Sequence, residues 1–344
     1  MLPRMMRLRH GAVRFTALAL LVAGCSAPEG GKTATVLATL DGTPLGIAAD
    51  ATGVYVAVTA DAQGSAPQGR IAKLTPGATT ATDVVTGLVD PVRVVLEGDA
   101  VLWTELGSTG TDGAVARAPK IGGAKVALAT ALSTPRDVVA SPKYVFFVAA
   151  DGAIGRVART ATGAAKPTAV VAAGGAPTAL AVSGTDLWWT DGAAGTVSHV
   201  LQQGGDPAVV AKGQPGARGL ALTKTHAYFS VASGAVAEGP SVRRVKLEGG
   251  TVETIAANQD VAGVGRVVLD EAYAYWLTSS GGSTSVVRVA QTGVTTEVVA
   301  TADSSVLDGG AGLPVTAFDL AVDATAVYWT VSDGVQGAVL TVPR

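Results

Sequence analysis

The stretch Trp188-Trp189-Thr190-Asp191 belongs to a short segment that recurs seven times along the chain. Each copy has large apolar or aromatic residues at its centre, and the copies are Val54-Tyr55-Val56, Leu102-Trp103-Thr104, Phe146-Phe147-Val148, Trp188-Trp189-Thr190, Tyr228-Phe229-Ser230, Tyr275-Trp276-Leu277 and Tyr328-Trp329-Thr330. The anchor residues of the copies are Tyr55, Leu102, Phe146, Trp188, Tyr228, Tyr275 and Tyr328, and the steps between them are 47, 44, 42, 40, 47 and 53 residues. A period of this size, built from short strands, indicates the blades of a β-propeller.

Around each copy the sequence divides into four strands separated by turns. In the fourth repeat we predict an inner strand over residues 177–182, the aromatic strand over 187–190, a third strand over 196–200 and an outer strand over 208–211. Proline suits the first residue of an inner strand, where no ladder hydrogen bond is lost, and it stands there in several repeats: Pro91, Pro135, Pro177 and Pro314. The 44 glycines and the segments rich in valine and threonine agree with an all-β chain.

The two ends of the repeat array complement each other. The seventh repeat ends after a third strand over residues 338–342, and a strand over residues 35–40 precedes the first complete repeat. A ring of blades has no exposed edge if one strand completes the last blade. We therefore predict one all-β domain over residues 35–344, a seven-bladed propeller of four-stranded blades closed by its N-terminal strand.

The N-terminus resembles a bacterial lipoprotein signal. Four arginines precede a short apolar run over residues 16–22, and Val22-Ala23-Gly24-Cys25 matches the lipobox that follows such a run. The alternatives are a plain signal peptide cleaved near Ala23 and a membrane span, for which the run is much shorter than the ~20 residues required. The resemblance implies a signal peptide over residues 1–24, a lipid-modified Cys25 and a short tether over residues 25–34.

This resemblance also implies a location. Acyl chains such as palmitate on Cys25 would anchor the protein to a membrane of the cell envelope, and Ser26 favours the outer membrane if the organism is Gram-negative. Cys25 is the only cysteine, so the mature chain forms no internal disulfide. The formal net charge of −2 gives no reason to expect a nucleic-acid partner. We expect a monomer without a cofactor.

The repeats resemble those of two propeller families. Trp188-Trp189-Thr190-Asp191 and Tyr328-Trp329-Thr330 are similar to the signature of YWTD propellers, and the chain as a whole looks like bacterial lipoproteins built from YWTD-like or NHL-like repeats. YWTD domains usually have six blades, so seven repeats depart from that pattern. Because propellers support many unrelated functions, this likeness implies a fold and no particular activity.

One position of the repeat carries charges in several copies. Nine residues before each aromatic anchor stand Gly46, Arg93, Asp137, Ala179, Gly219, Arg266 and Asp319, and Arg136 and Arg218 lie one residue earlier in their repeats. This position is near the start of the inner strand, so the side chains would meet at one mouth of the central channel. They form either a candidate binding site or a set of ion pairs that only keeps the channel polar.

The remaining chemistry-bearing residues have structural interpretations. We expect the tryptophans to pack between blades. We expect the aspartates of Asp151-Gly152, Asp191-Gly192 and Asp333-Gly334 to form turns. Long loops follow the aromatic strands of the first, second and fifth repeats, over residues 61–69, 105–113 and 233–241. These loops share a face with the starts of the inner strands, which favours that face as the binding surface; the alternative is that they are insertions tolerated in solvent.

Enzymatic function has weak support in the sequence. Propellers similar to the streptogramin lyases place histidines and a glutamate at the channel, but His199 and His226 stand at non-equivalent positions of the repeat. No metal-ligand or catalytic-triad spacing appears, although Asp137 and Asp319 could contribute to a divalent-metal site. We favour a non-catalytic binding or scaffold module of the cell envelope that recognises an envelope protein or a small ligand. The alternative is a metal-dependent lyase or hydrolase acting at the channel mouth.

Overall fold

Seven antiparallel sheets form the blades of a closed ring. The computed structural model describes residues 31–60, 69–232, 239–259, 265–307 and 314–344. The inner strand of each blade contacts the inner strand of the next, and that of the seventh blade contacts that of the first. This confirms the predicted all-β propeller of seven four-stranded blades. The proposed signal peptide and Cys25 lie outside the described residues.

Each blade follows the chain from its inner to its outer strand. The strands are, for blade 1, Thr43–Asp50, Gly53–Thr59, Gly69–Leu74 and Thr82–Leu88; for blade 2, Pro91–Glu97, Ala100–Glu105, Gly113–Pro119 and Val126–Leu132; for blade 3, Asp137–Ala140, Tyr144–Val148, Ile154–Ala158 and Thr168–Val171; for blade 4, Pro177–Ser183, Asp186–Asp191, Thr196–Leu201 and Ala208–Ala211.

The remaining blades have the same order. Their strands are, for blade 5, Ala217–Leu222, His226–Val231, Ser241–Lys246 and Glu253–Ala256; for blade 6, Val268–Leu269, Tyr273–Ser280, Ser283–Ala290 and Thr296–Ala302; for blade 7, Thr316–Val322, Ala326–Ser332, Gly337–Pro343 and the N-terminal Thr35–Leu40. A single turn of 3-10 helix covers Ser304–Val306. No helix in the described ranges is long and apolar enough to cross a membrane.

The N-terminal strand closes the ring as predicted. Thr35–Leu40 pairs antiparallel with Gly337–Pro343, with Thr39 opposite Ala338 and Leu40 opposite Gly337. Ala38 and Leu40 are buried in the cluster that joins blade 7 to blade 1. The first and last strands of the propeller are thus hydrogen-bonded to each other, and blade 7 is complete only when both are present.

A second N-terminal strand was not predicted. Lys32–Thr33 runs parallel to the outer strand of blade 6, with Lys32 opposite Ala300 and Thr33 opposite Thr301. These two residues lie within the segment that the sequence suggested as a tether. The chain therefore touches the outer edge of blade 6 before it enters blade 7.

The hydrophobic core consists of layers between neighbouring blades. Adjacent residues of a strand point to opposite faces, so each anchor residue and the residue after it contribute to two different layers. Tyr55 of blade 1 shares a cluster with Trp103 of blade 2, and Tyr275 of blade 6 shares one with Trp329 of blade 7. All five tryptophans are buried: Trp103, Trp188, Trp189, Trp276 and Trp329. This confirms that the aromatic anchors pack between blades.

Two predicted strand starts differ from the structure. Pro91 and Pro177 begin their inner strands, whereas Pro135 and Pro314 lie two residues ahead of the strands that begin at Asp137 and Thr316. In blade 3 the N–H of Arg136 still bonds the carbonyl of Val148, so the chain is already close to the sheet before the strand begins.

Deletion of residues 35–40 should destabilise the propeller strongly, because blade 7 would lose its outer strand and expose the edge of Gly337–Pro343. We expect the midpoint of thermal unfolding to fall by at least about 10 °C, which corresponds to several kcal/mol for a domain of this size. Differential scanning calorimetry measures the change. The matched control is Lys32→Gly with Thr33→Gly, which disturbs only the two-residue parallel strand. Equal midpoints for the deletion and the intact chain would contradict closure by this strand.

Candidate functional site at the mouth of the central cavity

The inner strands surround a central cavity with a volume of about 780 Å³. Its lining includes the residue nine positions before the anchor in every blade: Gly46, Arg93, Asp137, Ala179, Gly219, Arg266 and Asp319. Arg136 and Arg218 line the same cavity. The structure thus brings together all six charged residues that the sequence suggested for the channel mouth.

Irregular pairing occurs at this point of the inner strands. The register between inner and aromatic strands shifts next to Gly46, Arg93, Ala179, Gly219 and Asp319, in five of the seven blades. A β-bulge re-aims side chains because two residues of one strand oppose one residue of its partner. Consecutive residues such as Arg218 and Gly219 therefore both reach the cavity.

Four of the charged residues form a continuous series of ion pairs. Arg266 of blade 6 lies 3.1 Å from a carboxylate oxygen of Asp319 in blade 7. The same oxygen lies 3.5 Å from Arg93 of blade 2, and Arg93 lies 2.8 Å from Asp137 of blade 3. Blade 1 contributes only Gly46 at this position, so the side chain of Arg93 can pass over it to blade 7. We call these four residues the paired half of the mouth.

Both carboxylates of the paired half also join one blade to the next. Asp137 Oδ2 accepts a hydrogen bond from the N–H of Leu180 in blade 4 at 2.7 Å. Asp319 Oδ2 accepts one from the N–H of Ile47 in blade 1 at 3.3 Å. Hydrogen bonds from backbone N–H groups and arginines satisfy these buried charges. The paired half therefore has the structural role that the sequence allowed as one of its two interpretations.

Burial has the largest effect on the pKa values of Asp319 and Asp137. It raises the pKa of Asp319 to about 6, against the lowering effect of Arg93 and of the backbone N–H groups of Ile47 and Leu320. Burial likewise raises the pKa of Asp137, although Arg93 and Leu180 oppose the shift. In both cases the loss of hydration outweighs the favourable partners.

The two remaining arginines differ from the paired half. Arg136 of blade 3 and Arg218 of blade 5 are exposed, and neither forms an ion pair with a described residue. In ring order they stand on either side of blade 4, which carries no charged residue in the lining and places the small side chains of Thr178 and Ala179 at the mouth. We call Arg136, Thr178, Ala179, Arg218 and Gly219 the open half of the mouth.

The wall of the cavity beyond the mouth is apolar. Val95, Val139, Ala181 and Val182 line it at positions further along their inner strands. Every charged residue of the described lining belongs to the mouth. The cavity therefore combines charged groups at one end with an aliphatic surface, as small-molecule sites commonly do, and its volume falls within their usual range of ~300–1,000 Å³.

The two histidines among the described residues lie away from the cavity. His199 stacks on Trp188 with ring centroids 4.5 Å apart and has its Nδ1 3.0 Å from Asp186. His226 lies edge-on to Tyr228, and its Nδ1 is 2.8 Å from the hydroxyl of Thr225. Both are packed side chains. In the described part of the chain, no group of three or more His, Cys, Asp or Glu residues could hold a metal ion.

His199 occupies a second periodic position of the repeat, which was not predicted. His199 lies opposite Trp188, the anchor residue of blade 4. The residue opposite the anchor residue is basic in five other blades: Lys73, Arg117, Arg156, Arg244 and Arg288. Arg156 and Arg244 each donate a hydrogen bond to a carbonyl of the following blade, that of Gln202 and that of Gln291. A count forward from the anchors could have revealed this position, although the varying loop lengths obscure it.

The aspartates after the aromatic strands form turns, as predicted. Asp151 accepts a hydrogen bond from the N–H of Ala153, and Asp191 accepts bonds from Ala193 and Ala194. Asp333 does the same for the two residues that follow Gly334. Of the three long loops, most of 61–69 and 233–241 lies outside the described residues. The loop over 105–113 is described, and Leu106 within it lines the cavity.

Comparisons with known proteins support the fold alone. No family model and no curated protein matches the chain. Among solved structures, the WD40 β-propeller domain of Doa1 aligns with a TM-score of 0.61 at 11% identity and covers 89% of this chain and 96% of that domain. The computationally designed Ika8 protein aligns with a TM-score of 0.56 at 12% identity, over 90% and 100%. A nidogen/laminin complex aligns with a TM-score of 0.47 at 14% identity, over 64% and 86%. The chain shares a β-propeller fold with the domain of Doa1.

Replacement Asp319→Asn should flatten the dependence of stability on pH. The raised pKa means that folded Asp319 binds a proton between about pH 4 and pH 6 while the unfolded carboxyl has released its own, so unfolding is progressively favoured as pH rises through this window. Asparagine does not titrate. We expect urea unfolding at pH 4.5 and pH 7 to show a larger loss of stability in the unaltered chain than in the variant. Parallel pH profiles would show that Asp319 does not titrate in this range.

Proposed function

We propose that this protein is a non-catalytic binding module of the cell envelope and that its ligand occupies the central cavity at the open half of the mouth. One observation carries the proposal: Arg136 and Arg218 have no acidic partner among the described residues and lie on a cavity of about 780 Å³ with an aliphatic wall. Arginines kept only for stability would be expected to have acidic partners, as Arg93 and Arg266 do.

The location in the envelope rests on the sequence of the N-terminus. Val22-Ala23-Gly24-Cys25 supports lipid modification of Cys25, and Ser26 favours the outer membrane if the organism is Gram-negative. Lys32 is already paired with blade 6, so only about six residues separate it from Cys25. A flexible segment of that length spans roughly 12–15 Å on average, which would keep the propeller close to the membrane. We further propose that the chain acts as a monomer without a cofactor.

The metal-dependent alternative lacks a supporting feature. A divalent cation at the mouth would need Asp137 and Asp319 to share it, yet each carboxylate is bonded to arginine and to a backbone N–H of the next blade. The described side chains around them that carry charge are arginines, which repel a cation. The geometry therefore favours recognition of a ligand over metal-assisted lyase or hydrolase chemistry.

A cavity ligand should remain bound when the protein is extracted from its native membrane in mild detergent. Native mass spectrometry is expected to show a species heavier than the acylated chain, and Ala181→Leu should remove this species because the larger side chain occupies the wall of the cavity. Ala164→Leu makes the same change at an exposed loop residue and should leave the bound species in place. Identical spectra for the unaltered chain and Ala181→Leu would exclude the cavity as the binding site.

Replacement Cys25→Ser should release the protein from the membrane. Without the thiol there is no acceptor for the lipid, so incorporation of labelled palmitate should cease and the protein should move from the membrane fraction to the soluble fraction. The circular dichroism spectrum should stay unchanged, because Cys25 precedes the described propeller. Continued recovery of the folded variant with membranes would show that the anchor is not a lipid on this residue.

A further inference from the structure

The charges at the mouth do not balance. Arginine contributes four side chains to the cavity lining and aspartate contributes two. Both aspartates lie in the paired half, where Arg93 and Arg266 hold them. The surplus positive charge therefore belongs to Arg136 and Arg218, on the two sides of blade 4.

A guanidinium without a partner is suited to one class of group. Its planar set of N–H donors matches the two oxygens of a carboxylate or a phosphate, and such charge-assisted pairs are stronger than neutral hydrogen bonds. Arg136 and Arg218 are exposed to solvent and also line the cavity. They can reach an anionic group at the mouth without breaking an ion pair within the described part of the chain.

The cavity wall next to the open half favours an apolar group in the part of the ligand that lies beyond the arginines. Ala179 and Ala181 of blade 4 and Val139 of blade 3 present aliphatic surface, and Val182 extends it along the same inner strand. No charged side chain stands among them in the described lining. Each methylene group that leaves water for such a surface strengthens binding about fourfold. A polar body would lose its hydration there without gaining partners.

We propose that the open half binds an amphipathic anion, with a carboxylate or phosphate held by Arg136 and Arg218 and an apolar body lying against Val139, Ala181 and Val182. This inference rests on the proposed function, because it names the class of ligand for the same cavity. The small residues of blade 4 leave space for the body between the two arginines. The paired half serves as a fixed wall that the ligand does not need to open.

Four probes test the two parts of such a ligand separately: decanoate, decyl phosphate, decan-1-ol and acetate. Isothermal titration calorimetry with the full chain carrying Cys25→Ser avoids the membrane. We expect decanoate or decyl phosphate to bind at least tenfold more tightly than decan-1-ol, which lacks the charge, and than acetate, which lacks the apolar body. The head group that binds more tightly shows whether the site prefers a carboxylate or a phosphate.

The double variant Arg136→Gln with Arg218→Gln should weaken binding of the preferred anion at least tenfold, as expected for the loss of charge-assisted hydrogen bonds. Both side chains are exposed and unpaired with described residues, so the midpoint of thermal unfolding should change little. Lys143→Gln with Lys224→Gln is the matched control, because it removes two positive charges from exposed turns at the opposite ends of blades 3 and 5. Ala181→Leu should weaken binding of decanoate while leaving the arginines intact.

Three results would overturn the inference: no detectable binding of either anionic probe, equal affinity for decanoate and decan-1-ol, or unchanged affinity in the double arginine variant. These results would not by themselves end the proposed function, which depends on the native ligand. If a bound species is lost in Ala181→Leu while the anionic probes fail, the cavity is a binding site for another class of ligand. If neither native ligand nor probe occupies the cavity, both proposals fail.

Discussion

Packing between the aromatic anchors of neighbouring blades is the interaction on which the rest of the propeller depends. Two adjacent residues of one strand point to opposite faces of the blade, so the anchor residue and the residue after it pack in two different interfaces. The anchor residue packs towards the next blade and the residue after it packs towards the previous one, as Phe146 with Trp189 and Trp188 with Phe229 show. Each of the seven interfaces has its own cluster of buried residues.

This packing also determines which residues meet at the centre. The inner strands are arranged in the same way around the ring, so the residues at a single position of the repeat meet around the cavity. Glycine at two of the seven places lets neighbouring backbones approach closely. A Cβ atom at Gly46 would lie 2.2 Å from the carbonyl oxygen of Val92. One at Gly219 would lie 2.1 Å from that of Gly265. Arginine and aspartate fill four of the other places and form the paired half, whereas Arg136 and Arg218, one residue earlier in their repeats, line the open half.

The repeat made the architecture and the location of the charged mouth predictable, because both follow from periodic positions that can be counted along the sequence. Pairings within the mouth could not be predicted. Contact between Arg93 and Asp319 skips blade 1 and depends on Gly46 and on the local bulges, and the repeat does not reveal how far a side chain reaches across them. The strand Lys32–Thr33 was missed because two residues carry no recognisable alternation. The repeat position of His199 was not assigned from the sequence, because it is defined by the pairing of His199 with Trp188 on the neighbouring strand.

The pairing of the first strand with the last imposes an order on folding. Thr35–Leu40 leaves the ribosome long before its partner Gly337–Pro343. Contacts across so long a separation in sequence form slowly, because the ends of a long chain must meet before any energy is gained. The four strands of each of blades 1 to 6 can assemble in chain order while the closing strand remains without its partner. If the chain is secreted, closure of the ring beyond the membrane must wait until Gly337–Pro343 has crossed to join Thr35–Leu40.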